Sequence, residues 1–180
     1  MATRRFGFLV GVALMLGFAG SALSAERYGI GHPATEAEIA AWDIDIDRDG
    51  RKLPPGSGSV AHGRDVFAAQ CASCHGARGE GGTGERLVGG QGTLISAKPV
   101  KTVGSFWPYA PTLFDYIRRA MPMNAPQSLS DNDVYAVSGY VLHLNELVPD
   151  GAVLDARSLA AIRMPNRDGF VPDPRPDVRP

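Results

Sequence analysis

Three stretches of the chain place apolar residues at the spacing of a helix face. The first stretch follows Ser59, which suits the N-cap position of a helix. Its apolar and small residues recur at offsets of three and four: Val60, Gly63, Phe67, Cys71 and Cys74. The second stretch begins at Pro111, since proline is well tolerated in the first helical turn. Its apolar face consists of Leu113, Phe114, Ile117, Ala120 and Met121. Both patterns predict amphipathic helices.

The third stretch is the last clear helix. Ser130 is a favourable N-cap, and Asp133 stands at the third helical position, as in a capping box. Pro149 then ends the helix. The apolar stripe consists of Val134, Val137, Val141, Leu144 and Val148. We expect this helix to cross the first one at residues 139–140, because Gly63 has no side chain and permits a close approach.

The N-terminal residues have the pattern of an export signal. Arg4 and Arg5 precede an apolar run, residues 6–18, and the small residues of "AGSALSA" follow. We predict cleavage after Ser24 or Ala25, so that residues 1–25 are a signal peptide and the mature protein is periplasmic. The alternative is an uncleaved membrane anchor, although the uncharged run lies near the lower length limit for a membrane span.

Composition and charge limit the classes of protein to which the chain can belong. Of the 180 residues 44% are hydrophobic, which suits one domain with a core. The 22 glycines and 14 prolines predict many turns and extended segments. Without residues 1–25 the chain has 16 basic and 19 acidic residues, a net charge of −3. This charge excludes a nucleic-acid binder that relies on net basic charge.

The chain has two cysteines, Cys71 and Cys74, followed directly by His75. A structural zinc ion needs four ligands, and the sequence has no second cysteine pair or close histidine pair. A thioredoxin-like dithiol opens a helix after a strand, whereas this motif ends a predicted helix. In covalent haem attachment, two thiols one helical turn apart bond to the vinyl groups, and the adjacent imidazole lies under the iron. We therefore predict one covalently bound haem c.

A haem iron with one histidine ligand needs a second axial ligand for low-spin electron transfer, usually Met or His. The other histidines suit solvated side chains better than ligands; they are His32, His62 and His143. Met1 and Met15 belong to the signal, and Met164 lies in a polar C-terminal tail. Two methionines remain as candidates, Met121 and Met123.

Helical position favours Met121 over Met123. Met121 completes the apolar face of the second helix, and Pro122 disfavours helical backbone at the residue before it. The helix therefore ends at Met121, whose side chain faces the core at a helix terminus. Met123 lies beyond this break and has no such placement. We predict that Met121 is the second axial ligand; the alternative is that both methionines fill the core.

Two further stretches resemble other kinds of site. The stretch "DIDIDRDG", residues 43–50, contains the opening of an EF-hand loop that would start at Asp45. The twelfth position of that loop is Gly56, where calcium needs a bidentate Glu. We interpret it as a short strand or extended arm. Residues 79–84, "GEGGTG", match G-x-G-x-x-G, but neither a preceding strand nor an acidic residue about twenty positions later is present. We interpret them as a loop after the cysteine motif.

The stretches "GRDVFAAQCASCHG" and "AMPMNAPQSLSDNDVYAVSGYVLHLN" resemble class I cytochromes c over residues 59–148. Four more stretches resemble the haem subunit of Sox-type sulfane or sulfite dehydrogenases. They are "GIGHPATEAEIAAWDIDIDRDGRKLPPGSG", "GGQGTL", "PVKTVGSFWPYAPTLFDYIRRAMP" and the tail "MPNRDGFVPDPRPDV". In that family the cytochrome accepts electrons from a molybdenum-cofactor subunit.

The resemblance implies that Cys71 and Cys74 are thioether sites and that His75 and Met121 are the axial ligands. The chain departs from the family in two ways. It has one C-x-x-C-H motif, whereas some members carry a second haem domain. Its "GGQG" loop has no proline, although many class I cytochromes use a proline carbonyl to orient the ligand histidine. We expect a backbone carbonyl of residues 88–90 to accept the imidazole N–H instead.

The predicted fold is all-α, a class I cytochrome c fold with long irregular N- and C-terminal arms. The predicted parts after the signal are an N-terminal arm, residues 26–58, a cytochrome c domain, residues 59–148, and a C-terminal arm, residues 149–180. The resemblance implies a periplasmic partner, a molybdopterin sulfite or sulfane dehydrogenase subunit, which both arms embrace. Electrons then pass to a downstream cytochrome or oxidase, and the chain itself is not catalytic.

Two alternative functions remain at this point. One is a free diffusible electron carrier without a dedicated partner. The other is a haem-based ligand sensor or catalyst with an open coordination position. Trp107 and Tyr109 stand just before the second helix, where they serve either as core residues or as interface anchors near the haem propionates.

Overall fold

The structure is a computed structural model that describes Tyr28 and residues 30–175. The predicted signal peptide and its membrane-anchor alternative lie outside the described residues. The chain divides into two compact units, residues 1–39 and 40–180. In the first unit Glu38 N–H donates to the Thr35 hydroxyl at 3.3 Å, and Thr35 N–H donates to the Glu38 carboxylate at 2.8 Å. This reciprocal capping begins helix α1 (Glu36–Trp42).

In the described part of the second unit, most of the regular secondary structure is helical. Its elements in chain order are β1 (Ser57–Ser59), α2 (Val60–Gln70), α3 (Ala72–His75), a short 3-10 helix (Thr93–Ile95), α4 (Ala110–Ala120), α5 (Asp131–Leu144), β2 (Val153–Asp155) and α6 (Ala156–Ala160). The two short strands pair antiparallel, with Gly58 opposite Leu154. The three helices predicted from apolar spacing correspond to α2, α4 and α5.

Both predicted serine caps are confirmed. The Ser59 side chain accepts the His62 N–H at 3.1 Å at the start of α2. The Ser130 side chain accepts the Asp133 N–H at 3.2 Å at the start of α5, and its hydroxyl donates to the Asp133 carboxylate at 2.6 Å. This hydroxyl, and then the His62 ring, hold the pKa of Asp133 below its usual value.

Helices α2 and α5 cross at a glycine, as predicted. A Cβ atom on Gly63 would lie 1.9 Å from the Ala136 carbonyl oxygen and 2.9 Å from the Tyr140 Cβ. Only a residue without a side chain permits this approach. Gly139 has a different neighbour, since a Cβ atom there would lie 3.3 Å from a Leu154 methyl carbon. The closest approach to Gly63 is therefore at Ala136, slightly earlier than expected.

Helix α5 is shorter than its apolar stripe predicts. It ends at Leu144 rather than continuing to Val148. The Asn145 side chain donates to the Val141 carbonyl at 2.9 Å, and Glu146 has a φ of 62°. A left-handed residue does not continue a right-handed helix. Val148 keeps the helical period by coincidence, so the longer prediction is wrong.

The hydrophobic core includes residues from both predicted arms. Ile46 is buried on the N-terminal side, and Leu154 and Leu159 are buried on the C-terminal side. The expectation that Met164 lies in a polar tail is wrong, because this side chain is 1% exposed and belongs to the core. The arms are therefore not irregular throughout, while the domain boundaries stay a prediction.

The stretch with alternating aspartates does not form a strand in the structure. Asp47 Oδ1 accepts the N–H groups of Asp49 and Arg51, each at 3.0 Å, so this carboxylate closes a turn. Within the described ranges, no group of three or more His, Cys, Asp or Glu side chains is placed to hold a metal ion. Nor is any helix among the described residues long and apolar enough to cross a membrane.

Candidate functional site

Cys71, Cys74 and His75 lie on one turn of backbone between α2 and the end of α3. The N–H groups of Cys74 and His75 both donate to the Cys71 carbonyl, at 3.1 and 3.0 Å. Both cysteines are free; Cys71 is half-buried and Cys74 is exposed. Burial, with a smaller contribution from Cys74, raises the pKa of Cys71 to about 11. The Cys71 thiol is therefore protonated at neutral pH.

The His75 imidazole is held by a backbone carbonyl. Its Nδ1 lies 2.7 Å from the Glu85 carbonyl oxygen. A carbonyl oxygen only accepts hydrogen bonds, so Nδ1 carries the proton. The neutral ring then has its lone pair on Nε2, which is the form that binds a metal.

The carbonyl that accepts this hydrogen bond is not among those expected from the sequence. The prediction of residues 88–90 is wrong, because the loop reaches His75 earlier, at Glu85. The later carbonyls have other partners: Gly89 accepts the Thr102 hydroxyl at 2.5 Å, and Gly90 accepts the Thr93 N–H at 3.1 Å. A carbonyl is present in every residue, so the sequence offers no signal that distinguishes Glu85.

The glycine-rich loop, residues 79–84, packs around the cysteine motif. Gly81 N–H donates to the His75 carbonyl at 2.7 Å, and Gly84 N–H donates to the Cys74 carbonyl at 2.8 Å. A Cβ atom on Gly84 would lie 3.0 Å from two atoms of the His75 ring. The prediction that this segment is a loop is confirmed, and its glycines let the backbone lie against the imidazole.

Met121 is the C-terminal cap residue of α4. Its backbone is extended, with φ −118° and ψ 144°, and its N–H donates to the Ile117 carbonyl at 3.0 Å. The side chain is half-buried and packs against the hydrophobic core, whereas Met123 is 79% exposed. Cys71 packs against the same core. No described contact joins the two residues directly, and the assignment of Met121 as an axial ligand stays a prediction.

The other histidines have partners outside the cysteine motif. His62 Nε2 lies 2.7 Å from an Asp133 carboxylate oxygen. His143 Nδ1 lies 3.1 Å from the Val148 carbonyl oxygen. His32 lies 3.5 Å from the carboxylate that caps α1. The described structure therefore does not bring these histidines to the motif.

Trp107 and Tyr109 are both half-buried. This partial burial fits both roles expected from the sequence, core residue and interface anchor. The Trp107 ring packs edge-on against Tyr116, with centroids 5.8 Å apart. The Tyr109 ring is contacted by two guanidinium groups, Arg167 at 4.7 Å and Arg48 at 5.9 Å. The sequence gives no signal for this contact, because the two arginines lie far apart in the chain.

The arrangement fits a covalently attached haem. Two free thiols stand one turn apart, the adjacent imidazole is in the tautomer that binds iron through Nε2, and a thioether lies at a half-buried helix end. Leu87 and Trp107 are half-buried apolar side chains that pack against the core. This donor set is typical of electron-transfer haem proteins.

Comparisons with known proteins agree with this chemistry. Residues 58–141 match the family described as cytochrome c oxidase, cbb3-type, subunit III. The chain is 32% identical over 89 residues to the thiosulfate dehydrogenase of Stutzerimonas stutzeri (strain A1501), an alignment that covers 49% of this chain and 28% of that protein. The chain thus spans little more than a quarter of the length of that curated relative.

A solved structure is similar over a larger part of the chain. It is the crystal structure of the sulfane dehydrogenase SoxCD from Paracoccus pantotrophus, to which the chain is 45% identical with a TM-score of 0.76. The match covers 83% of this chain and 74% of the matched one. The two chains therefore share both their fold and much of their sequence.

Proposed function

Because the chain belongs to the c-type cytochromes, we propose that it carries one covalent haem c and serves as the electron-transfer subunit of a periplasmic sulfur dehydrogenase. Electrons come from a molybdenum-containing sulfane or sulfite dehydrogenase subunit and pass to a downstream cytochrome or oxidase. The electron-transfer role follows from the family. The choice of partner is supported by the 45% identity to a chain of SoxCD.

The single observation that carries the proposal is the state of the His75 ring. Its Nδ1–H is bonded to the Glu85 carbonyl at 2.7 Å, which leaves Nε2 to serve as an axial ligand. Cys71 and Cys74 would attach the haem through two thioether bonds, and Met121 would supply the second axial ligand. The haem supplies an iron that cycles between the ferric and ferrous states.

Exposed apolar side chains in the predicted arms support a protein partner. On α1, Trp42 is 86% exposed and Ile39 is 53% exposed; three positions apart, they lie on the same side of the helix. Phe170 and Val171 are also exposed near the C-terminal end of the described residues. Large exposed apolar and aromatic side chains are typical of docking surfaces. We propose that these residues contact the dehydrogenase subunit.

The partner is tested by purifying the tagged chain from its native host. We expect a molybdenum-containing protein to elute with it in a fixed ratio, and we expect the haem to become reduced when sulfite or a sulfane donor is added. A matched Trp42→Ala, Ile39→Ala variant should retain its haem but lose the partner. If the wild-type chain elutes alone, the chain is a free diffusible carrier.

Two further measurements test the proposed non-catalytic role and the location. Thiosulfate added to the purified chain alone should leave the haem oxidised; rapid reduction would instead indicate a catalytic role like that of the thiosulfate dehydrogenase relative. Carbon monoxide should not change the ferrous spectrum, because a Met-ligated iron has no open position, whereas a ligand sensor would respond. A periplasmic fraction containing a chain that begins at Ala25 or Glu26 would support export and cleavage.

A further inference from the structure

Asn145 is a buried polar residue that joins the end of α5 to the loop beside His75. Its side chain is 3% exposed. The amide nitrogen donates to the carbonyls of Val141 at 2.9 Å and Leu87 at 3.1 Å, and the amide oxygen accepts the Gly89 N–H at 3.2 Å. Two carbonyls and one N–H group define which side of the amide is nitrogen. All three bonds therefore depend on an asparagine in this orientation.

The same loop is held from a second side. The Thr102 hydroxyl donates to the Gly89 carbonyl at 2.5 Å, and Thr102 is 3% exposed. Gly104 lies against Asn145, since a Cβ atom on Gly104 would be 2.2 Å from the amide oxygen. A further hydrogen bond connects the loop to the glycine-rich segment, from Leu87 N–H to the Gly79 carbonyl at 2.8 Å.

The residue held by Asn145 is close in sequence to the acceptor of the His75 hydrogen bond. Asn145 bonds to Leu87, and the Glu85 carbonyl, two residues earlier, accepts from His75 Nδ1. A short loop with fixed ends has little freedom to move the carbonyl between them. The length and direction of the His75 hydrogen bond therefore depend on where Asn145 and Thr102 hold the loop.

We propose that Asn145 is a positioning residue for the His75 imidazole, acting through residues 85–89. The inference rests on the proposed haem attachment. A well-aligned hydrogen bond from Nδ1 makes the ligand more basic, and a more basic ligand favours ferric iron. Loosening the loop should weaken this bond, expose the ring proton to exchange with solvent, and raise the reduction potential.

The test uses Asn145→Leu in the full chain with its haem attached. Leucine has a similar size and makes none of the three hydrogen bonds. We expect the His75 ring N–H of the ferrous protein to exchange with deuterium roughly fivefold faster, the factor that corresponds to one net hydrogen bond of ~1 kcal/mol. The midpoint potential should rise. Both quantities are measured at the haem and its imidazole ligand, and a control variant separates a local change from overall destabilisation.

The matched control is Asn132→Ala. The Asn132 side chain accepts the Ser57 N–H at 2.9 Å, at the start of β1 and away from the loop. This variant should lose some stability while its ring exchange and potential stay at wild-type values. If Asn145→Leu does not fold, Thr102→Val decides, because valine keeps the shape and removes the bond to Gly89. It should produce the same changes to a smaller extent.

The outcomes separate the two proposals. A wild-type protein without covalent haem contradicts the proposed function. If the wild-type protein contains haem but Asn145→Leu leaves the ring exchange and the potential unchanged, the positioning role is overturned. Where Asn145→Leu does not fold, the same result in Thr102→Val overturns it. Equal shifts in Asn132→Ala would also overturn it, since they would reflect general destabilisation.

Discussion

The two proposed axial ligands are held in different ways. His75 is fixed by hydrogen bonds from its own neighbourhood, with Nδ1 on the Glu85 carbonyl and the glycine-rich loop on the motif backbone. Among the residues that the structure describes, none forms a comparable hydrogen bond to the sulfur atom of Met121. It stands at the last turn of α4, and its position depends on how that helix packs.

Helix α4 is in turn tied to the N-terminal side of its unit. The buried Asp115 accepts the Ile46 N–H at 2.9 Å and is paired with Arg119, one turn further along the same helix. The groups that bond directly to His75 and its motif, the histidine side, lie within ten residues of it, and Asn145 acts on them only through the loop. The methionine side, which is α4 with Met121 at its end, is tied directly to a residue 69 positions away in the chain. We infer that the methionine ligand is the more easily lost of the two.

The largest expected effect comes from removing the thiols of the histidine side. The Cys71→Ala, Cys74→Ala double variant should contain no covalent haem, because the sequence has no other cysteine. Intact mass should equal the processed chain alone, against the processed chain plus one haem for the wild type. A wild-type mass without haem, from cells that mature c-type cytochromes, would refute attachment.

The next largest effect concerns the crossing of α2 and α5. Gly63→Ala should destabilise the protein by ~3 kcal/mol or more, because its Cβ atom would overlap the Ala136 carbonyl and overpacking against backbone is poorly relieved. Gly139→Ala is the matched control, with a Leu154 methyl group as its nearest neighbour. It should stay within about 1 kcal/mol of wild type, since alanine favours the helix. Urea unfolding measures both.

Asp115→Ala should separate the two ligands. It leaves the buried Ile46 N–H unpaired, at a cost of about 1–3 kcal/mol. During heating, the sulfur-to-iron charge-transfer band should disappear well before the rest of the haem spectrum changes, because α4 loosens while the histidine side stays intact. Asp168→Ala, which removes an exposed pair with Arg163, should leave the band as in wild type. Simultaneous loss of both signals in Asp115→Ala would contradict the comparison.

The smallest effect is a pH dependence at the start of α5. The pKa of Asp133 is lowered in the folded protein, first by Ser130 and then by His62. A lowered folded pKa contributes stability above the unfolded value of about 3.9, and this stability is lost as pH falls through the lower folded value. Asp133→Asn should flatten this part of the acid unfolding curve. Equal curves for Asp133→Asn and wild type would contradict the assignment.

What the sequence predicted well is mostly local. Ser59 and Ser130 cap helices through side chains that act within three residues, and the spacing of Cys71, Cys74 and His75 is local too. Gly63 was recognisable because it interrupts an apolar face with a residue that has no side chain. Local geometry alone determines these features, so they can be read from residue type and spacing.

What the sequence did not predict depends on tertiary contacts. The burial of Met164 follows from the packing of the C-terminal segment, which its polar neighbours conceal. The end of α5 follows from a turn at Asn145, whose side chain bonds to a loop more than fifty residues earlier. The Glu85 carbonyl belongs to the backbone, so no residue type in the sequence marks it as the acceptor of the His75 hydrogen bond. Each of these features requires the position of a distant or backbone group.

The central claim is that His75 and Met121 hold one haem iron, and the most direct test compares two methionine variants. Met121→Ala should lose the sulfur-to-iron charge-transfer band and lower the reduction potential, because thioether ligation favours ferrous iron. Met123→Ala should keep the band, since this side chain is 79% exposed. A Met121→Ala protein that keeps the band, with a Met123→Ala protein that loses it, would show that the ligand is Met123 and would contradict the account.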